Sequence, residues 1–532
     1  MDLLIDDIVL APDEPEALLA ERLAQRLGKI RIDDWQVWRR SLDARKKDRI
    51  VFRYKIRVSV NDAEAPALLA RPSVSRFPEP PAPPPAGTAR GKRVVVVGAG
   101  PAGLFCALRL LDAGAGVAIL ERGRSVNRRM RDIRRLETEG VLDPESNVLF
   151  GEGGAGTYSD GKLTTRTRRP EIAWFFRRLA DFGAPDRLLA EARPHIGTDR
   201  LRLILIRIRE TLRDRGAEIQ FGRRVRDLRV ENGRVVGVTT DAAEDFRADA
   251  VVLAAGHSAR DLYETLRDRG VALAPKGFAA GVRVEHPADL IREVQYGRSR
   301  HRDILPPAEY QLTWNDPQTK RGIYSFCMCP GGRVLNSASE NGGLCVNGMS
   351  YSTRGLPRSN AALVVAVNPA DFASDASAPP DPLAGIAFQR KIERAAFAAG
   401  GGAFHAPAQR VTDFLADRES STLPETSYRP GVRPGRVGDF LPPWIVEGLR
   451  RALPQFDRRM RGFVSSEAVL VGAETRTSSP VRIVRGEDLA SVSHPGLYPA
   501  GEGAGYAGGI VSSAVDGIRV ADRIAGRGVA RD

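Results

Sequence analysis

The chain has 532 residues, 42% hydrophobic and 27% charged, and its 80 Lys plus Arg against 66 Asp plus Glu leave a net charge of +14. That length suits about two to four domains and excludes a peptide or minimal module. The balanced composition excludes a chain that is disordered or fibrous throughout.

No apolar run reaches the roughly 20 residues of a membrane-spanning helix. The first residues, MDLLIDDIVLAPDEPE, are acidic where an export signal would be basic and then apolar. Four cysteines, Cys106, Cys327, Cys329 and Cys345, are too few for a disulfide framework. The expectation is a cytoplasmic protein with no membrane association that acts on a small-molecule substrate. The positive charge invites a nucleic-acid role, but 71 of the 80 basic residues are Arg and they alternate with acids along the whole chain, as in RRLADFGAPDRLLAEARP. A general compositional bias explains that pattern better than a phosphate-binding stripe does.

Residues 1–75 read as a small α+β module. Residues 3–10 predict a strand, and Asp13 with Pro15 would cap a helix carrying Leu18, Leu19, Leu23 and Leu27 on one face. Residues 30–38 and 50–60 alternate in the period-two manner of half-buried strands. Within this module Arg39, Arg40, Arg45, Lys46 and Lys47 motivate a rival reading, an RNA-associated protein of tRNA modification. The bland reading of the same patch is a solvated charged face. Residues 76–90 form a linker, with prolines at 78, 80, 81, 83, 84 and 85 that remove amide donors and stop helix and sheet alike.

GKRVVVVGAGPAGLFCALRLLDAGAGVAILERG follows at once. Residues 94–97 are a buried β-branched strand, 104–111 a helix and 117–120 a second strand, which is a βαβ unit. Gly98 permits the turn out of the first strand, Gly100 lets a pyrophosphate approach bare backbone, and Gly103 lets helix and strand pack closely. With Pro101 and Ala102 between them, these residues place free amides at a helix start, where phosphates bind. Glu121, followed by Arg122, stands at the end of the second strand, where a carboxylate accepts from ribose hydroxyls and repels a 2′-phosphate. This site is therefore for FAD or NAD.

Distant segments decide between the two. GAEIQFGRRVRDLRVENGRVVGVTT predicts three strands, ADAVVLAAGHSARD a buried strand ending in glycine, and GLYPAGEGAGYAGGIVSSAVDGIRVADRIAG a strand, a glycine-rich loop and a helix starting near Ile510. A nucleotide domain whose last part lies some two hundred residues away resembles the FAD superfamily with a glutathione-reductase-type fold. That resemblance implies cofactor contacts at Gly98, Gly100, Gly103 and Glu121, then Val225, then Ala255 and Gly256, and finally Gly501 with Glu502, where Glu stands in place of the usual Asp. More narrowly, FGEGGAGTYSDGKL, YSFCMCPGG, NGMSY, ETRTSSPVRI and the N-terminal WRRSLDARKKDRIVFRYKI resemble segments of a bacterial family of uncharacterised FAD-dependent dehydrogenases.

The resemblance implies an α/β flavoprotein oxidoreductase. Its FAD-binding domain would comprise residues 91–270 and 463–532, with a mixed substrate-binding domain inserted at 271–462. A helix N-terminus formed by Gly508, Gly509 and Ile510 would stabilise negative charge on the flavin N1 and C2=O edge. The loop 151–162, with Gly153 among its five glycines, would approach the cofactor and offer Lys162 as a cation. With one strong nucleotide fingerprint in the chain, NAD(P)H would be a transient co-substrate, or the organic substrate itself would be the reductant. A non-catalytic flavin redox sensor is the third reading.

Cys327 and Cys329 are the candidate catalytic residues. Two apart on a predicted strand, they would share a face and serve beside a flavin as a redox pair or as one nucleophile. Buried cysteines without chemistry are the competing reading, and a CxC disulfide is awkward in a strand. A zinc site lacks the paired knuckles it needs. His257 and His405 are possible proton acceptors and Arg476 a possible anion binder, none with a claim above many equivalents.

Overall fold

A computed structural model describes the chain except residues 29, 31, 79–86, 166, 168, 186, 374–380 and 528–532. The proline-rich boundary falls mostly on 79–86, outside the described residues.

The N-terminal unit is a four-stranded antiparallel sheet. Strand Val51–Val60 alternates strictly between core and surface, as its period-two pattern requires. Its neighbour Ile32–Asp43 is an exposed outer strand instead of a half-buried one. Helix Leu18–Leu27 buries Leu19, Leu23 and Leu27 on this sheet, but it starts at Ala17 with no side-chain cap. Asp13 faces Arg300 and His301 across the molecule, at 3.6 and 3.8 Å.

The unit is docked on the body. Ala192 donates to the Arg40 carbonyl at 2.9 Å, Lys47 Nζ to that of Val294 at 2.8 Å, and Ile50 enters the body's largest core. Three residues of the basic patch are engaged within the chain: Arg40 stacks on Phe52, Arg45 pairs with Asp43, and Lys47 makes the contact just named.

Residues 93–527 hold the mixed α/β body. Its central sheet is fully parallel, in the order Leu497–Pro499, Ala250–Leu253, Arg93–Val97, Gly116–Glu121 and Glu218–Phe221. Strands covered on both faces need continuous apolar runs, which VVVV and AVVL supply. Helices Pro101–Asp112 and Ile510–Ile524 pack on one face, and an antiparallel three-stranded ribbon, 225–247, joins the core on the other.

A second, seven-stranded sheet is built from residues 278–474, with Phe278–Pro287 at its centre between Arg358–Val367 and Val469–Glu474. The strand Val469–Glu474 corrects the boundary expected at 463, because it pairs with Phe278–Pro287 and Ala406–Arg410 and so belongs to this second sheet. The chain rejoins the parallel sheet only at Leu497–Pro499. Among the described residues no helix is long and apolar enough to cross a membrane.

Candidate functional site

Between the two sheets lies a cavity of about 460 Å³, entered from the C-terminal ends of the parallel strands. Open α/β sheets place ligands there because helix N-termini and strand-end loops converge at that edge.

The turn after Arg93–Val97 behaves as its glycines require. Gly98 has φ +103°, and a Cβ on it would lie 2.5 Å from the Ala254 carbonyl oxygen. A Cβ on Gly103 would lie 2.0 Å from the Gly98 oxygen, so Gly103 is a packing residue of the helix–strand joint. Gly100 differs: the nearest atom to a Cβ there is Gly154 Cα, at 4.0 Å. Two bare glycine backbones thus face each other across the cavity, at the N-terminus of helix Pro101–Asp112, a cradle that side chains would fill. These residues fit a diphosphate held by amides. Pro101 and Ala102 line the same wall.

Gly153 points away from the cavity. A Cβ there would meet Thr157 and Leu205 at 2.2 and 2.3 Å, and Gly154 takes the place expected of Gly153. Sequence reasoning also missed what holds this loop. The guanidinium of Arg129, fully buried, donates to the carbonyls of Asn147, Val148, Glu152 and Gly154 at 2.6 to 2.9 Å. Its only signal in the sequence was one arginine among 71.

Glu121 is buried and lines the cavity, but its carboxylate already accepts from the amides of Ala99, Gly123 and Gly151 at 2.8, 2.9 and 3.0 Å. Of about four lone-pair sites, one on Oε2 is left for a ribose hydroxyl. Arg122 is spent on Glu145 and Asp261 and stacks on Phe150, so it forms a wall instead of a phosphate ligand. Val225, Ala255 and Gly256 line the cavity, as do Gly501, Glu502, Gly508, Gly509 and Ile510. The 15-residue helix Ile510–Ile524 therefore presents its N-terminus to this space.

Around Glu502 the titratable groups are displaced from their ordinary values. Burial raises Glu502 to about 7, against the opposing pull of Lys276 and of the Gly509 amide. His257, 4.0 Å from Glu502, is lowered to about 3 by burial and then by Arg476 and Arg260. It is neutral at physiological pH. His405 lies far from the cavity, against Gly400 and Gly431. Arg476 lines the cavity but is bidentate to Glu393 and donates to Ser339, which leaves it no free fork for an anionic substrate.

The two cysteines part company. Strand Gly322–Cys329 has a register break between Phe326 and Cys329, and Cys327 takes φ +45° there, so period two no longer applies. Cys327 lines the cavity, whereas Cys329 is buried behind it and donates to the Cys327 carbonyl at 3.3 Å. Both are free thiols. The Cys329 thiol lowers the pKa of Cys327 to about 6, helped by Lys162 and Arg283 against burial. The same thiol contact and burial push Cys329 well up. Lys162 donates to the Met328 carbonyl and sits 3.5 Å from Asp160. Fully buried Arg283 donates to the Cys327 carbonyl at 2.7 Å and pairs with Glu474, which burial raises to about 7. Glu474, Asn347, Tyr324 and Phe326 also line this wall; they lie in the segments ETRTSSPVRI, NGMSY and YSFCMCPGG, which marked a family resemblance but did not single these side chains out.

Comparison with known proteins agrees with this geometry. A model described as "FAD binding domain" matches residues 93–129, "FAD dependent oxidoreductase" matches 198–354, and "FAD-dependent protein, C-terminal domain-like" matches 277–477. A domain of unknown function matches 3–59. An "Uncharacterized protein" of Clostridium beijerinckii is 41% identical over 98% of both chains. The 6-methylpretetramide 4-monooxygenase of Streptomyces rimosus is 35% identical over 33% of this chain and 39% of its own. Solved structures align loosely. A geranylgeranyl bacteriochlorophyll reductase-like protein from Thermoplasma acidophilum covers 82% of this chain and 78% of its own at 12% identity and TM-score 0.36. A glycine oxidase from Bacillus cereus covers 82% and 98% at 12% identity and TM-score 0.32. With a relative aligned end to end and FAD-domain models on its nucleotide turn and beyond, the chain belongs to the bacterial family of FAD-dependent proteins that includes the Clostridium beijerinckii protein, and it is an FAD-dependent oxidoreductase.

Proposed function

We propose that the protein is a dehydrogenase of the glutathione-reductase-type fold. In this reading it moves a hydride or electrons between bound FAD and a small molecule seated against the second sheet, with NAD(P)H as a transient partner. One observation carries the proposal: a single cavity reaches from the diphosphate cradle at Gly98, Gly100 and Gly154 to Glu502, His257 and Cys327. FAD, when bound, supplies the redox chemistry. The protein holds the diphosphate on amides, aims the N-terminus of helix Ile510–Ile524 at the far end, and excludes water with two sheets. In this scheme residues 278–474 are the substrate-binding part. The free thiols support a reducing, cytosolic setting.

At the reacting end Cys327 is the reactive thiol, favoured as thiolate by the neighbouring Cys329 thiol and by Lys162 and Arg283. Alkylation of the holoenzyme by iodoacetamide is expected to follow a midpoint near pH 6, to vanish in Cys327→Ser and to move upward in Lys162→Met, which removes one of the two neighbouring cations. Anaerobic stopped-flow bleaching of the flavin by NADH, NADPH and a metabolite panel tests the function. Fast bleaching by at least one donor supports the proposal, and a flavin that only dithionite reduces rejects it.

A further inference from the structure

The reacting wall of the cavity carries two aromatic rings without a ring partner, Tyr324 resting on Ala279, Ala362 and Val364. Tyr324 and Phe326 lie two apart on strand Gly322–Cys329, before the register break, and both line the cavity. Neither stacks on another ring among the described residues. Phe326 is 40% exposed, high for a large apolar side chain in the body of a protein.

The charges at this end of the cavity are paired within the chain, and the lining acids without a cation, Glu121 and Glu502, are those the flavin reading gives to the cofactor. Each lining cation has a carboxylate of this chain: Lys162 with Asp160, Arg476 with Glu393, Arg122 with Glu145 and Asp261, Arg223 with Glu244, and Arg224 with Glu145. Glu474 and Asp160, the acids beside the aromatic pair, are matched by Arg283 and Arg354. An anion entering this end would gain no free cation and would meet two acids. A cation would find both acids taken and the Cys327 thiolate already held by Lys162 and Arg283. What the wall offers is ring surface, with the Asn347 side chain and the Ser478 hydroxyl beside it for polar contact.

Resting on the flavin-site reading above, we infer that the substrate is an uncharged, planar, largely apolar molecule with a hydroxyl or carbonyl edge. It lies against Tyr324 and Phe326 with its polar edge toward Asn347. Burying ring surface on two aromatic faces supplies its affinity, since stacked pairs add to ordinary apolar burial. The paired charges supply selectivity, because a charged competitor must give up hydration with no counter-ion in return.

The test uses the oxidised holoenzyme and three probes on one ring system: 2-naphthol, naphthalene-2-sulfonate and 2-naphthylmethylamine, which at neutral pH are neutral, anionic and cationic. Binding is read from perturbation of the flavin visible spectrum. 2-Naphthol is expected to bind at least about tenfold more tightly than either charged probe, and Phe326→Ala to weaken it about fivefold. Tyr324→Phe, which keeps the ring, should leave it unchanged. Equal or tighter binding of the sulfonate or the ammonium overturns the inference, as does a Phe326→Ala enzyme that binds 2-naphthol like the parent. Flavin content and dithionite reduction, measured on the same samples, report separately on the cofactor reading, so loss of flavin and loss of probe selectivity are distinguishable.

Discussion

Gly100 and Gly103 stand three residues apart in one motif, yet they do different work. A Cβ on Gly103 would collide with protein, whereas one on Gly100 would meet nothing nearer than Gly154 Cα at 4.0 Å. Gly103→Ala is expected to destabilise the fold by about 1 to 3 kcal/mol, as forced overpacking does, seen in urea unfolding of the flavin-free protein. Gly100→Ala should unfold like the parent but retain about tenfold less FAD, because the new methyl group stands where bare backbone meets the diphosphate. If both variants lose stability equally, the division of roles is wrong. Glu502 makes a second prediction at this scale. Burial holds its pKa near 7 in the folded chain, above the ordinary 4.5, so between those values the folded state binds more protons than the unfolded one. Stability contributed by the protonated side chain is therefore present at low pH and lost as pH rises through about 7. Glu502→Gln should be more stable than the parent at pH 8, by about 1 to 3 kcal/mol, and no more stable at pH 4, in flavin-free unfolding curves.

Helix Ile510–Ile524 is placed by contacts that local sequence does not show. A Cβ on Gly517 would lie 2.0 Å from the Ala102 carbonyl, so this helix and Pro101–Asp112 touch backbone to backbone. Asp516, one residue earlier, accepts from Arg485 at 2.6 and 3.0 Å and from the Gly501 amide at 2.7 Å, tying the helix to the loop that carries Glu502. Gly517→Leu is expected to lower the melting temperature by several degrees and, by tilting the helix N-terminus, to reduce FAD content in the purified protein. Unchanged flavin content in a destabilised variant would separate the packing role from the cofactor role. The helix itself was legible from its small and apolar periodicity. Its partner was not, since the two helices are some four hundred residues apart in the chain. The same limit applies to Cys327 and Cys329: their alternation reads correctly as strand, but a one-residue bulge moves each side chain to a different environment.

Across the whole molecule a buried ionic cluster joins the two sheets. Glu393 accepts from Arg260 at 2.8 Å on both oxygens and from Arg476 at 2.9 and 3.0 Å. Arg260 begins the helix after a parallel-sheet strand, Glu393 lies in helix Ala384–Ala399, and Arg476 follows strand Val469–Glu474. The two guanidiniums hold the Glu393 carboxyl far below its usual range, against burial. Glu393→Gln would leave buried Arg476 without its counter-ion and Arg260 with Glu340 alone, and is expected to destabilise the body by about 3 to 5 kcal/mol, measured by urea midpoint at constant slope. A cost under about 1 kcal/mol would mean that water reaches the cluster.

Sequence alone determined the parallel nucleotide-binding core, because an apolar strand, a spaced glycine turn and an acid at the next strand end are local features with one common geometric solution. It also determined the order of elements that returns at the C-terminus. Only the tertiary structure decided which of those residues face the cavity. Gly154 replaces Gly153, Arg122 and Arg476 are consumed by partners up to 139 residues away, and Tyr324, Phe326 and Glu474 are brought in from the second sheet. Side-chain partners at such separations depend on how sheets pack and where strands bulge, and no residue spacing along the chain encodes that directly.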